Sequence, residues 1–243
     1  EAKDISTLPG SNLFSAFSNV PVSGNRNLPT LAFSDADQQH RLIATAAYRL
    51  EYGDFGATTI SLFAEANRNG RFSYTYNGST DGIAFINGSN LLYVPENESD
   101  IALAEFTGVD GNPVTVAEQW TALNNFINNS EYLSSRRGQF VERNGELSPW
   151  FFKADLKLIQ DFYLNVGQKS HNLQLTFDVL NFTNLINKDW GVRQVPINTQ
   201  PVNFNSRAGT FSVDPDQLDR GDFASDLSPI SRWRMQVGVR YSF

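Results

Sequence analysis

Hydrophobic and polar residues alternate with period two in five stretches of this chain, the signature of a β-strand with one apolar and one polar face. The clearest stretch runs to the last residue. From Arg232 onward, Trp233, Met235, Val237, Val239, Tyr241 and Phe243 share one side, and Arg232, Arg234, Gln236, Gly238, Arg240 and Ser242 share the other. Residues 41–52 set Leu42, Ala44, Ala46, Tyr48, Leu50 and Tyr52 against Arg41, Thr45, Arg49 and Glu51, with Ile43 and Ala47 among the latter. Residues 58–66 set Ile60, Leu62, Ala64 and Ala66 against Ser61, Phe63 and Glu65. In 150–158, Trp150, Phe152, Ala154, Leu156 and Leu158 oppose Lys153, Asp155 and Lys157. In 171–179, Leu173, Leu175, Phe177 and Val179 oppose Asn172, Gln174, Thr176 and Asp178.

The connections differ in length. Gly53–Gly56 and 165–169 are short and suit hairpin turns. After Asn67–Gly70 the alternation resumes at Phe72, Tyr74 and Tyr76, which favours a bulge within one long strand over a second hairpin. A phase slip at Leu180–Phe182 predicts another bulge. Residues 1–40, 77–148 and 184–229 lack a sustained period, are rich in polar residues, and read as irregular loops. Within the second, Thr115 and Glu118 form a capping-box signature, and Trp120, Leu123, Phe126 and Ile127 follow at helical spacing. A loop-packing helix over about 115–128 is predicted.

Short and long connections thus alternate along five antiparallel strands, as in transmembrane barrels with tight periplasmic turns and long extracellular loops. With the last strand ending in the periplasm, both short turns fall on that side and residues 1–40 fall outside. The aromatics sort accordingly: Trp150, Phe152 and Trp233 are expected at the outer rim of the lipid-facing rows, and Tyr48, Tyr52, Phe162, Tyr241 and Phe243 at the inner rim. The fold class expected is all-β, an antiparallel transmembrane β-barrel segment within one domain over 1–243. Five strands cannot close a barrel, which needs about eight, so further strands are expected upstream of Glu1.

Composition narrows the function without changing this picture. The 243 residues contain 19 Phe and 8 Tyr, carry a net charge of −7 and contain no cysteine. The acidic balance speaks against nucleic acid as a partner, and the missing thiols exclude disulfides and thiolate metal sites. No apolar run reaches the ~18–20 residues of a spanning helix, which leaves barrel strands untouched. The opening residues are not those of a signal peptide.

No catalytic constellation is present, and neither an enzyme nor a cofactor is expected. His40 and His171 stand apart from any second ligand, and there is no nucleophile elbow or phosphate loop. The acidic loop with Asp214, Asp216, Asp219 and Asp222 is a weak calcium candidate, since it lacks the EF-hand glycine and closing glutamate. The most informative charges are those expected to face a lumen: Arg41, Arg49, Glu51, Glu65, Lys153, Asp155, Lys157, Asp178, Arg232, Arg234 and Arg240. Cross-strand ion pairing or contact with a plug is preferred for them over direct contact with substrate.

Three segments, Arg137–Trp150 (RGQFVERNGELSPW), Leu173–Gly191 and Trp233–Phe243, resemble the Oar-like TonB-dependent receptors of Bacteroidetes, and Arg41–Tyr76 and Asp81–Pro95 are similar to that family's hairpin and extracellular region. The resemblance covers most of 41–243 and is weak over 1–40. It implies a 22-stranded barrel, an amino-terminal plug, often a small β domain ahead of it, and a place in the outer membrane of a Gram-negative bacterium. It also implies transport energised by the TonB complex, a candidate surface lipoprotein partner, and recognition of Val237, Val239, Tyr241 and Phe243 by the barrel-assembly machinery. Two rivals remain: an outer-membrane scaffold, adhesion or secretion barrel that binds a surface partner through its loops, and a soluble, secreted, glycan-binding β-sandwich.

Overall fold

The computed structural model describes residues 2–5, 20–28, 30–68, 70–80, 88–167 and 169–243. Strands make up 45% of the described residues, which settles the class as all-β, and no helix among the described residues is long and apolar enough to cross a membrane. The chain divides into two compact units.

The first unit is a five-stranded antiparallel sheet built from β1 (His40–Glu51), β2 (Gly56–Arg68), β3 (Phe151–Val166), β4 (Lys169–Leu180) and β5 (Arg234–Ser242), in the spatial order β5-β4-β3-β2-β1. Hairpin neighbours in sequence are neighbours in space, and β5 pairs with β4. The two short turns close on glycines in the left-handed region, Gly53 at φ 65° and Gly167 at φ 65°, where a Cβ would be strained. Gln168 of the second turn lies outside the described residues.

The register carries the alternation across the whole sheet. One row contains Ala46, Leu62, Leu156, Val179 and Met235, and the next contains Tyr48, Ile60, Leu158, Phe177 and Val237. The opposite face carries Ala47, Ser61, Lys157, Asp178 and Gln236 in one row, and Glu51, Ala57, Asp161, Gln174 and Arg240 in another. Each row thus keeps its chemistry over four strand boundaries, because a slip of one residue would turn a whole strand over.

Four details differ from the sequence expectation. β3 runs on to Val166 rather than ending near 158, because Gln160, although in the apolar row, is satisfied there. Its Oε1 accepts from Thr58 Oγ1 opposite (2.5 Å), and its Nε2 donates to the Ala57 and Asp161 carbonyls. β2 stops at Arg68, and no bulged strand continues to Tyr76: Phe72 pairs with Glu146, and Tyr76 pairs with Val202 in separate small sheets. No bulge forms at 180–182 either. β4 ends at Leu180, Asn181 turns through φ 53°, and a helical turn follows over Phe182–Ile186. The last strand begins at Arg234, with Pro229–Ser231 in a 3₁₀ turn, so Arg232 and Trp233 precede it.

The second unit gathers residues 1–38, 70–148 and 195–224. These stretches, expected to be loops, contain short paired strands (Lys3–Asp4 with Ala32–Phe33, for example) and the longest helix among the described residues, α1 (Val116–Asn129). Residues 6–19 and 81–87 lie outside the described residues. The predicted capping box is present: Thr115 Oγ1 accepts from Glu118 N at 3.3 Å, and Glu118 Oε2 accepts from Thr115 N at 2.8 Å. α1 buries Leu123, Phe126 and Ile127 among Tyr74, Leu92, Val94, Leu133 and Val213. Fully burying each such side chain contributes roughly 1.5–3 kcal/mol, which is why polar-looking loop sequence folds here. The Gln119 side chain, wholly buried, donates to the Ala104 and Val114 carbonyls and accepts from Val213 N, so its burial leaves no group unsatisfied.

Candidate functional site

The polar face of the sheet is where charge collects. Period-two alternation brings nine of the eleven predicted lumen-facing residues onto strands of this face: Arg41, Arg49, Glu51, Glu65, Lys153, Asp155, Lys157, Asp178 and Arg240. Arg234 joins them at the strand start, opposite Leu180. Arg232 does not, because it lies in the bend before β5 and donates from Nε to the Leu227 carbonyl at 3.2 Å.

Most of these charges are paired with one another. Lys157 Nζ lies 3.0 Å from Asp178 Oδ1 directly across the β3–β4 ladder. Arg41 Nε reaches Glu65 Oε1 diagonally at 2.8 Å, and Lys153 Nζ lies 3.6 Å from Asp155 Oδ2 two residues along β3. The second Asp155 oxygen, Oδ1, accepts from Asn181 N at 2.7 Å, tying the strand end to the helical turn that follows. Arg234 and Arg240 form no ion pair among the described residues.

A denser network sits toward the short-turn end. Arg49 Nε donates to Glu51 Oε1 (3.1 Å), its Nη1 to Asp161 Oδ2 (3.2 Å) and its Nη2 to the Tyr163 hydroxyl (2.6 Å). Asp161, whose side chain is 4% exposed, also accepts from Gln174 Nε2 at 2.8 Å. Asp161 and Tyr163 are absent from the sequence expectation, since both follow Gln160, whose polarity interrupts the apolar row. The signal that finds them is the polar phase of β3 itself, which runs Lys153, Asp155, Lys157, Ile159, Asp161, Tyr163.

The opposite face is apolar and uncovered. Tyr48, Leu50, Phe152, Phe162, Met235, Val237, Val239 and Tyr241 are all exposed. Phe152 stands at one end of the rows, opposite Ala66, and Phe162 at the other, opposite Gly56 and Leu173. Trp150 stacks on His40 just before β3, with centroids 5.9 Å apart, and Phe243 stacks on Tyr241 at 5.7 Å. Tyr52 stacks on Phe55 in the first turn. Tyr48 departs from the expected rim position: its row is that of Val237, two rows from Phe162 and Tyr241. His171 stacks on Tyr241, and its Nδ1 lies 2.6 Å from the Tyr241 hydroxyl.

The acidic loop does not assemble a metal site. Asp214 caps the helical turn Pro215–Leu218 by accepting from Asp216 N at 3.1 Å, and no three His, Cys, Asp or Glu side chains converge among the described residues. Asp222, half-buried, has its carboxyl pushed above the usual range by burial.

Most of the Arg137–Trp150 segment, up to Ser148, lies in the second unit. Asn144, at φ 55°, donates from Nδ2 to Phe33 O and Asp35 Oδ1, while Arg143 Nη2 reaches Asp4 Oδ1 and Arg71 Nε reaches Asp37 Oδ2, each at 2.6 Å. Arg137 Nη2 donates to Asn124 and Asn128 on α1. These contacts clip two separate stretches of chain together, 1–38 and 70–148, so the work of this motif within the unit is architectural. No protein-family model matches this chain, and neither a curated protein nor a solved structure does.

Proposed function

We propose that this chain supplies five consecutive strands to the wall of an outer-membrane β-barrel receptor of the TonB-dependent kind, which binds a substrate at the cell surface and moves it inward. The observation that carries this reading is the two-sided sheet. One face is a continuous exposed apolar surface, the other is charge-paired, and neither the free edge of β1 nor that of β5 is paired among the described residues. In water, exposed apolar area of this extent calls for a cover, and two open edges call for further strands. Lipid outside and closure by additional strands meet both demands, and a wet lumen inside suits the charged face. The short turns leave one end of the strands and the long connections the other, as the asymmetry of such barrels requires.

The energising step rests on the resemblance of Arg137–Trp150, Leu173–Gly191 and Trp233–Phe243. A second reading, a scaffold or adhesion barrel, draws on the folded body made by the long connections, whose own apolar core suits a surface that holds a partner. The full-length protein is the object to test. Heat-modifiable gel mobility and recovery from the outer-membrane fraction are expected; a monomer folded in plain buffer without detergent sinks the barrel. Deleting the energising complex separates the two readings. Surface binding that persists while accumulation stops supports the receptor, and unchanged behaviour supports the scaffold.

A further inference from the structure

At the end of the sheet where the long connections leave, segments 184–194 and 225–233 enclose a cleft of about 600 Å³. It is a built feature. Asn181 ties the two segments by donating from Nδ2 to Gly191 O (2.8 Å) and Ile230 O (3.3 Å), and Gly191 leaves that side chain the room a Cβ would occupy. Asn184 accepts from Trp233 N at 3.2 Å and donates to the Lys188 and Trp190 carbonyls, both at 2.9 Å.

The charges in the cleft are unevenly engaged. Of its two carboxylates, Asp226 is taken by Arg193 and by Ser228 N, and the Ser228 backbone N–H, aided by Arg193, holds its carboxyl below the usual range. Asp189 is the remaining acid. Against it stand Lys188, whose ammonium makes no hydrogen bond or ion pair among the described residues, and Arg232, which commits only Nε to Leu227 O, leaving both Nη groups available. A point-charge ammonium and a guanidinium fork lining one cleft are the groups that suit a phosphate. The same segments expose apolar side chains: Ile186 (60%), Trp190 (52%), Leu227 (74%) and Trp233 (44%). Free phosphate or a soluble phosphosugar gives these no burial. A lipid does, since tryptophans and basic residues together mark the headgroup layer.

We propose that this cleft binds the phosphorylated headgroup of a membrane lipid, with Lys188 and Arg232 on the phosphate and the exposed tryptophans and aliphatics against its glycerol or acyl region. The proposal rests on the barrel reading. The test uses full-length protein in detergent, titrated with a bisphosphorylated, acylated glucosamine disaccharide in mixed micelles. The parallel probes are the dephosphorylated lipid and the deacylated, water-soluble headgroup. Wild type is expected to bind the intact lipid best. Lys188→Gln/Arg232→Gln is expected to weaken that binding roughly tenfold or more, as loss of two charge-assisted contacts implies, and to leave the dephosphorylated lipid unaffected. Lys169→Gln, at the start of β4 at the opposite end of the sheet, serves as the charge control. The assignment is overturned if the double variant binds like wild type. It is equally overturned if the dephosphorylated lipid or the deacylated headgroup binds as tightly as the intact lipid. Heat-modifiable mobility of the same samples reports on the barrel separately, so its loss is distinguishable from failure of the lipid site.

Discussion

Arg49 on β1 reaches over the neighbouring strand to Asp161 on β3, with its Nη1 3.2 Å from the Asp161 Oδ2. The contact is diagonal: Arg49 stands opposite Thr59, and Asp161 stands opposite Ala57, completely buried, whose small methyl group lets the guanidinium pass. Asp161 depends on this contact, since burying a carboxylate is costly unless it is paired and hydrogen-bonded. Arg49→Met leaves Gln174 as the remaining side-chain partner of Asp161 and is expected to destabilise the sheet. Arg49→Met combined with Asp161→Asn should recover at least half of that loss. Urea unfolding of the full-length protein in lipid vesicles measures both, and a single variant as stable as wild type would refute the dependence.

Gly56, at the start of β2, lies so close to β3 that an added Cβ would sit 2.6 Å from the Asp161 carbonyl oxygen. Backbone cannot yield as a flexible side chain can. Gly56→Ala is expected to destabilise the sheet by about 1–3 kcal/mol. Gly24→Ala, where nothing lies within 4 Å, should stay within about 0.5 kcal/mol in the same denaturation series.

The two faces of β5 make unequal demands on an introduced charge. Val237 lies in the exposed apolar row opposite Phe177, and Gln236 lies in the polar row opposite Asp178. Val237→Arg is expected to cost about 2–4 kcal/mol in a folding assay in lipid, whereas Gln236→Arg gains a carboxylate neighbour and should be mild. Equal effects would mean that the apolar face does not meet lipid.

Two carboxyls of the loop body predict opposite pH responses. Burial raises the Asp222 value above its unfolded one, so its favourable contribution is present below the unfolded pKa and is lost as pH rises through the folded one. Asp222→Asn should therefore raise the melting temperature at pH 7, with the gain vanishing below about pH 4. Asp37 is held low by the Ala2 backbone N–H and by Arg71, so its contribution is present at neutral pH and is lost as pH falls through the folded value. Asp37→Asn should lower the melting temperature at pH 7 and matter progressively less in acid. Thermal melts of full-length protein across pH distinguish the two, and matching pH profiles would contradict the burial argument.

The sheet was largely legible because alternation is a local signal, and a register that keeps Leu158 opposite Ile60 and Phe177 follows from it. Arg49, Lys157 and Asp178 could be placed on one face for the same reason. The end of β3 was not legible, since Gln160 violates the alternation and is tolerated through a cross-strand partner, Thr58, which no local pattern reveals. Nor was the second unit. Tyr74 and Tyr76 continue the period of β2 by coincidence of spacing, while their burial is decided by Leu92, Phe126 and Val202, which lie far along the chain. The helix α1 was visible because its cap lies within four residues.

The body formed by the long connections has a temporal consequence. Its defining links join distant points: Val202 beside Tyr76, Val213 N on Gln119, and Arg143 on Asp4. Such closures carry a heavy loop-entropy cost and consolidate late, whereas the two hairpins form from neighbours. The amides of β3 and β4 should therefore become protected before those of Leu92 and Val213 in pulsed hydrogen exchange during refolding. The loop body is then expected to mature after the two hairpins.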